Sequence, residues 1–297
     1  MNNHIKAQGA LLATNIFFAI NFTAIKYLVN GGYAQPFGIN LVRVLVCTAL
    51  LWMLFFFRKE KTVFEKNDYG RLLLSALTGI AINQMLFVKG LSLTYPIHAS
   101  LLMLTTPILI TILAALVLKE RLSNYKITGL AAGISGAALL VAGAARSGSA
   151  SNVLWGDTLI ILNAISYTFY FILVKPLMAK YNMLAVVRMV FTLGLFMMLP
   201  FCWKDFIAIN WAAYGFLQYL SMALIVIGGT FLAYLFNIYG IKMLGASKAG
   251  FYIYFQPVFA AAIAIIILHE ELTVVKVLAG LLIALGVYLT NKKTSNA

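Results

Sequence analysis

Long apolar runs alternate with short polar gaps along almost the whole chain. A helix needs about 20 apolar residues to cross the hydrocarbon core of a bilayer. Segments 8–29, 36–57, 70–91, 96–118, 124–145, 154–175, 183–203, 213–240, 247–268 and 273–291 meet that requirement. Turn formers mark the gaps: Asn30-Gly31-Gly32, Lys66-Asn67-Asp68, Ser147-Gly148-Ser149 and Asn210. None of the gaps is long enough to hold a soluble domain, a nucleotide-binding loop or a separate catalytic unit. The predicted fold is all-α, a polytopic membrane protein of ten transmembrane helices. The first run is too long for the apolar core of a cleavable leader and reads as the first span.

Composition agrees with this pattern. Of 297 residues, 63% are hydrophobic and 10% charged, and mean hydropathy is +0.94. Soluble domains carry roughly 45–50% apolar and about 25% charged residues, so lipid is the solvent for most of this chain. The net charge of +14 does not point to nucleic acid, because the basic residues sit in short gaps between spans. There they read as topology signals and contacts with anionic lipid. With the N-terminus placed in the cytoplasm, inside loops and tails hold 15 Lys and Arg. The outside loops hold 4: Lys89, Arg146, Lys204 and Lys276. That bias predicts both termini on the cytoplasmic side of the cell's inner membrane. Cys47 and Cys202 lie in apolar segments without the spacing of a zinc site or a disulfide framework.

Sliding the chain by 150 residues lays 90–139 on 240–289 without a gap. Identities fall at Gly90/Gly240, Pro107/Pro257, Glu120/Glu270, Leu122/Leu272, Lys126/Lys276 and Gly136/Gly286. The front parts match more loosely, Lys26 with Lys175 and Arg43 with Arg188. The expected division is therefore residues 1–148 and 149–297, five helices each. Five is odd, so the second copy enters the membrane from the opposite side. An inverted repeat of this kind gives a transporter two nearly equivalent, oppositely facing states.

Several residue types qualify as site candidates. Pro107 and Pro257 sit in mid-span, where proline frees the carbonyls of Met103 and Ile253. Such backbone is tolerated only where protein or water satisfies it, so the pair is expected to kink helices lining a central cavity; a packing kink is the plainer account. Asn15, Asn21, Asn83, Gln84, Asn163, Gln218, Asn237 and Gln256 lie inside spans. Each serves either as glue between helices, worth about 0.6–2 kcal/mol, or as part of a cavity wall. From this set, Asn21, Asn83, Gln84, Asn237 and Gln256 are the candidate substrate-binding amides. Tyr167, Tyr170, Tyr234, Tyr252 and Tyr254 lie deep enough to offer an apolar face and one hydroxyl to an amphipathic substrate. Tyr95, Tyr181 and Tyr288 suit the interfacial belt.

Charge inside the spans is sparse. The eight Asp and Glu all read as helix-end or loop residues, which leaves no carboxylate relay at the midplane. His98, near the outer start of the fourth span, and Arg43 are the candidates for proton or charge coupling. For His98 an ordinary interface role is the alternative. Arg43 and Arg188 lie about two turns inside their entry faces, from where they can snorkel outward; binding an anionic group is the sharper alternative. Gly129-x-x-x-Gly133 and Gly228-Gly229 allow close helix approach, in the rocking surfaces or in a dimer. No nucleophile–base pair, metal cluster or phosphate loop is present in the sequence, so no enzyme activity, cofactor or metal is expected.

The chain resembles the drug/metabolite transporter superfamily, in its EamA-like branch. The resemblance lies in two five-span repeats and in a mid-helix proline followed about thirteen residues later by Glu-x-Leu and a Gly-rich helix. Here these are Pro107, Glu120, Leu122 and Gly129 to Gly136, then Pro257, Glu270 or Glu271, Leu272 and Gly280 to Gly286. The family's short four-helix multidrug members carry a membrane-embedded Glu near the N-terminus, which this chain lacks. The resemblance implies a proton-driven or gradient-driven carrier with a central cavity, commonly an exporter of amino acids or other small metabolites. The expected partners are a small-molecule substrate and lipid, with the chain a monomer or a homodimer. An uncoupled facilitator, for nucleosides or another metabolite, is the second reading. A non-transporting scaffold is the third, and it predicts Asn83, Asn237 and Gln256 paired to one another.

Overall fold

A computed structural model describes residues 2–58, 62–109, 112–113, 124–146, 150–244, 252–253 and 255–291. Glu120, Leu122 and Tyr254 lie outside the described residues. The described residues are helical with short connections, as lipid demands, because a spanning segment must satisfy its own backbone hydrogen bonds. The helices are α1 (Asn2–Asn30), α2 (Pro36–Arg58), α3 (Lys66–Leu93), α4 (Pro96–Leu109) and α5 (Asn124–Arg146). Then come α6 (Ala150–Lys180), α7 (Met183–Ile207), α8 (helical from Phe216 to Leu244), α9 (Phe255–Leu268) and α10 (Val274–Asn291). Seven contain long apolar spans, and α4, α9 and α10 contribute shorter apolar stretches. Each predicted segment corresponds to one of these helices.

Helix starts follow local chemistry. Pro36 and Pro96 open α2 and α4, where a missing N–H is harmless. The Asn182 side chain accepts from Leu184 N at 2.9 Å and caps α7. Just ahead of each proline the helix gives way to a turn. α4 stops at Met103, turns at Leu104-Thr105 and resumes before Pro107. At the second proline, Ile253 O is not freed, since it accepts from Gln256 N at 3.0 Å in a tighter turn just ahead of Pro257.

Both third helices of the predicted halves contain a π turn: Leu77–Ala81 in α3 and Leu224–Leu232 in α8. The packing partners are α5 with α10, α2 with α7, α3 with α6, and α1 with both α8 and α9. The α5–α10 crossing is made by small residues. A Cβ on Gly286 would stand 2.6 Å from Gly133 N and 2.7 Å from Gly129 O. The Gly129-x-x-x-Gly133 surface is thus spent inside the chain, not on a dimer. Large apolar side chains such as Phe56, Phe196, Phe216 and Ile266 point outward, as on a surface that meets lipid. Below, the proximal end is where α1 begins and the distal end is where it finishes.

Candidate functional site

The site candidates divide among three levels of the bundle. In the middle, α1 and α6 each press a side chain onto a glycine of a π turn. Asn21 lies on Gly229, where a Cβ would come within 2.6 Å of the Asn21 Cβ. Tyr170 lies on Gly79, where a Cβ would overlap its ring. The wider π turn sets these glycines toward the crossing helix, a use often found at functional positions. Ser166 adds a hydrogen bond to Thr78 O at 2.7 Å within the α3 turn.

Tyr170 also gathers two other predicted residues. Its ring centre is 5.6 Å from that of Tyr167, and its hydroxyl faces that of Tyr234. Tyr234 meets Phe191 edge-on at 5.8 Å and lines a small apolar crevice between α2, α7 and α8 with Cys47, Leu51 and Val187. Asn83 behaves as glue. It donates to Asn163 O at 3.0 Å and accepts at its own carbonyl from Asn163 Nδ2 at 2.8 Å, clamping α3 to α6. Gln84 sits beside it with Oε1 lacking a partner. Gln256 is buried; Asn237 and Tyr252 are half-buried. Among the described residues no hydrogen bond joins Asn83, Asn237 and Gln256, so the pairing expected of a scaffold is not found.

Neither arginine snorkels. Arg43 is 6% exposed. Its Nε donates to Thr230 Oγ1 at 2.5 Å, while the Thr230 hydroxyl donates to Ile225 O at 2.9 Å, five residues back along the π turn. Arg188, 4% exposed, lies on the faces of Phe55 and Trp52 at 3.3 and 4.3 Å. Arg43 has thus turned to Thr230 on α8, and Arg188 to Phe55 and the exposed Trp52 on α2.

At the distal end a buried ionic cluster joins six segments. Lys26 of α1 donates to the carbonyls of Ser92 and Thr94 at 2.9 and 2.7 Å. Glu270, just past α9, pairs with Lys276 of α10 at 2.9 Å and accepts from Ile97 N in the first turn of α4 at 3.4 Å. Lys276 stands 5.0 Å over the Tyr95 ring. Asp157 of α6 accepts from Thr94 Oγ1 and holds His98 Nδ1 at 2.9 Å. These positions correct the expectation for the acidic residues. Asp157 lies two turns inside α6 and is fully buried, and Glu270 is 8% exposed. His98 is correspondingly an internal partner and no interface residue. The signal available in the sequence was that Asp157 already fell within the segment 154–175.

The proximal end carries a different kind of cluster. Lys180 pairs with Glu65 at 2.6 Å and with Asp68 at 2.8 Å, and Tyr181 donates to Asp68 at 2.6 Å. Here the Lys180 and Glu65 side chains are 42% and 63% exposed.

Two stretches of the chain, residues 6–142 and 154–292, each match the EamA-like transporter family. The chain belongs to that family. It is a multi-pass membrane transporter of the drug/metabolite transporter superfamily. It is 23% identical over 292 residues to an uncharacterized transporter of Archaeoglobus fulgidus, covering 97% of this chain and 98% of that one. It is 25% identical over 295 residues to the uncharacterized transporter YyaM of Bacillus subtilis, covering 96% and 93%. A probable terminal-alkyne amino-acid exporter of Streptantibioticus cattleyicolor is 27% identical over 296 residues, covering 97% and 94%. One solved crystal structure shares the fold of this transporter, with a TM-score of 0.60 at 17% identity over 95% of this chain and 96% of that one.

Proposed function

We propose that this transporter is a secondary active carrier that exports small organic metabolites, amino acids among them, across the cytoplasmic membrane by alternating access. Its two halves, 1–148 and 149–297, are inverted repeats that rock against each other. The observation that carries this reading is the exchange of contacts at the π turns. Asn21 and Tyr170 correspond when Lys26 is aligned with Lys175, and Gly79 and Gly229 correspond under the 150-residue slide. Each half thus lays the same position of its first helix on the same glycine of the other half's third helix. Two equivalent crossings of this kind suit a pivot with two opposite settings.

The distribution of basic residues favours a cytoplasmic proximal end. In that orientation the buried distal cluster is a closed outer gate. The amino-acid exporter among the relatives and the tyrosines of the middle level favour amphipathic cargo. The test is counterflow of a radiolabelled metabolite panel in proteoliposomes, with and without an imposed pH gradient. Gradient-dependent uptake of an amino acid is the expected result. Movement indifferent to the gradient would leave the facilitator, and no movement of any compound would sink the transport reading.

A further inference from the structure

Among the described residues Arg43 is a buried cation without a counter-anion. Burying an ionised side chain is costly unless it is paired and hydrogen-bonded. Among the described residues no ion pair reaches Arg43. Its Nη1 has no hydrogen-bond partner, and the ring nearest it, Phe87, lies at 5.7 Å. Arg188 also leaves Nε and Nη1 without a hydrogen-bond partner, but two aromatic faces lie against its guanidinium at 3.3 and 4.3 Å.

Two unpartnered acceptors stand in the same neighbourhood. Gln84 Oε1 lacks a donor and lies three residues before Phe87, on the same face of α3. Asn21 Oδ1 also lacks a donor. Asn21 rests on Gly229, the residue before the threonine that binds Arg43, and it adjoins Phe22, whose ring lies 5.6 Å from Phe87. One unmatched cationic donor and two unmatched neutral acceptors therefore lie on α2, α1 and α3, helices that pack against one another, with α1 and α2 also packed on the π turn of α8. The apolar crevice begins one turn further along α2, at Cys47.

We propose that Arg43, Asn21 and Gln84 bind the head group of an α-amino acid, Arg43 taking the carboxylate and the two amide oxygens taking the ammonium. The side chain of the cargo then faces the crevice beside Tyr234. This rests on the transport reading above and deepens it by naming the chemistry recognised.

The test uses the purified full-length protein and L-leucine, L-phenylalanine and L-threonine, each beside its amide, which lacks the carboxylate, and its N-acetyl form, which lacks the ammonium. Binding is read by thermal shift and transport by counterflow. At least one of the three amino acids should bind and be carried, with the amide and N-acetyl forms about 10- to 100-fold weaker. Arg43→Gln should erase the preference of acid over amide, and Arg43→Lys should restore part of it. Gln84→Leu should weaken the amino acid and leave the N-acetyl form unchanged, which covers the case of an Arg43→Gln protein that does not fold. Amides carried as well as acids, or an Arg43→Gln variant that keeps the preference, would overturn the proposal. So would binding of none of the three amino acids. Carriage of a different metabolite class would overturn it while sparing the transport reading, and failure to move any metabolite would remove both.

Discussion

The two ends of the bundle hold ion pairs of similar chemistry in opposite surroundings. At the distal end Lys26, Glu270, Lys276, His98 and Asp157 are wholly or largely enclosed by helices of both halves. At the proximal end Lys180 and Glu65 are open, and their network ties the α2–α3 connection to the end of α6. An enclosed pair strongly resists the loss of one partner, because the other charge is stranded in a poor solvent. An exposed pair is held weakly, because water replaces the lost partner. Among the described residues, the distal end is thus held by enclosed pairs and the proximal end by exposed ones.

The largest effect is expected from Glu270→Gln, which strands Lys276 and removes the anion nearest Lys26. It should cost about 3–5 kcal/mol, seen as a drop in melting temperature in detergent. The double variant Glu270→Gln/Lys276→Met should recover most of that loss. Asp157→Asn comes next, weakening the hydrogen bonds to His98 and Thr94 for about 1.5–3 kcal/mol; a melting temperature equal to wild type would show that the latch does not extend to α6. At the middle level, Gly79→Ala drives a methyl group into the Tyr170 ring, at about 1–3 kcal/mol. Gly229→Ala should behave alike against Asn21 if the two crossings are equivalent, and one harmless variant of the two would break that equivalence. Smallest of all is Lys180→Ala, which should leave the melting temperature unchanged.

Most of the fold was legible in the sequence, because lipid imposes a simple code of length and hydropathy. The ten segments follow from it, and the repeat of Pro107 at Pro257 is visible beside them. What escaped were features that depend on which helix stands opposite. The π turns at Gly79 and Gly229 have no signature in composition. The Asn83–Asn163 clamp uses amides that the sequence left open between glue and cavity wall. Arg43 sits deep enough to snorkel by position, yet Thr230 of α8 draws it inward. Asp157 resembles an ordinary helix-end carboxylate until α3 and α4 bring Thr94 and His98 against it. The ionic cluster at the distal end is written across six segments, so no local window contains it.

The central claim is that the distal latch alternates with an opening at the other end. Spin-label distances test it directly in a background with Cys47 and Cys202 changed to alanine. One label pair would sit at Ser92 and Leu272 across the distal end, and a second at Asn67 and Met243 across the proximal end. The account predicts that Glu270→Gln lengthens the distal distance and shortens the proximal one. Distances that stay fixed at both ends, or lengthen together, would contradict it.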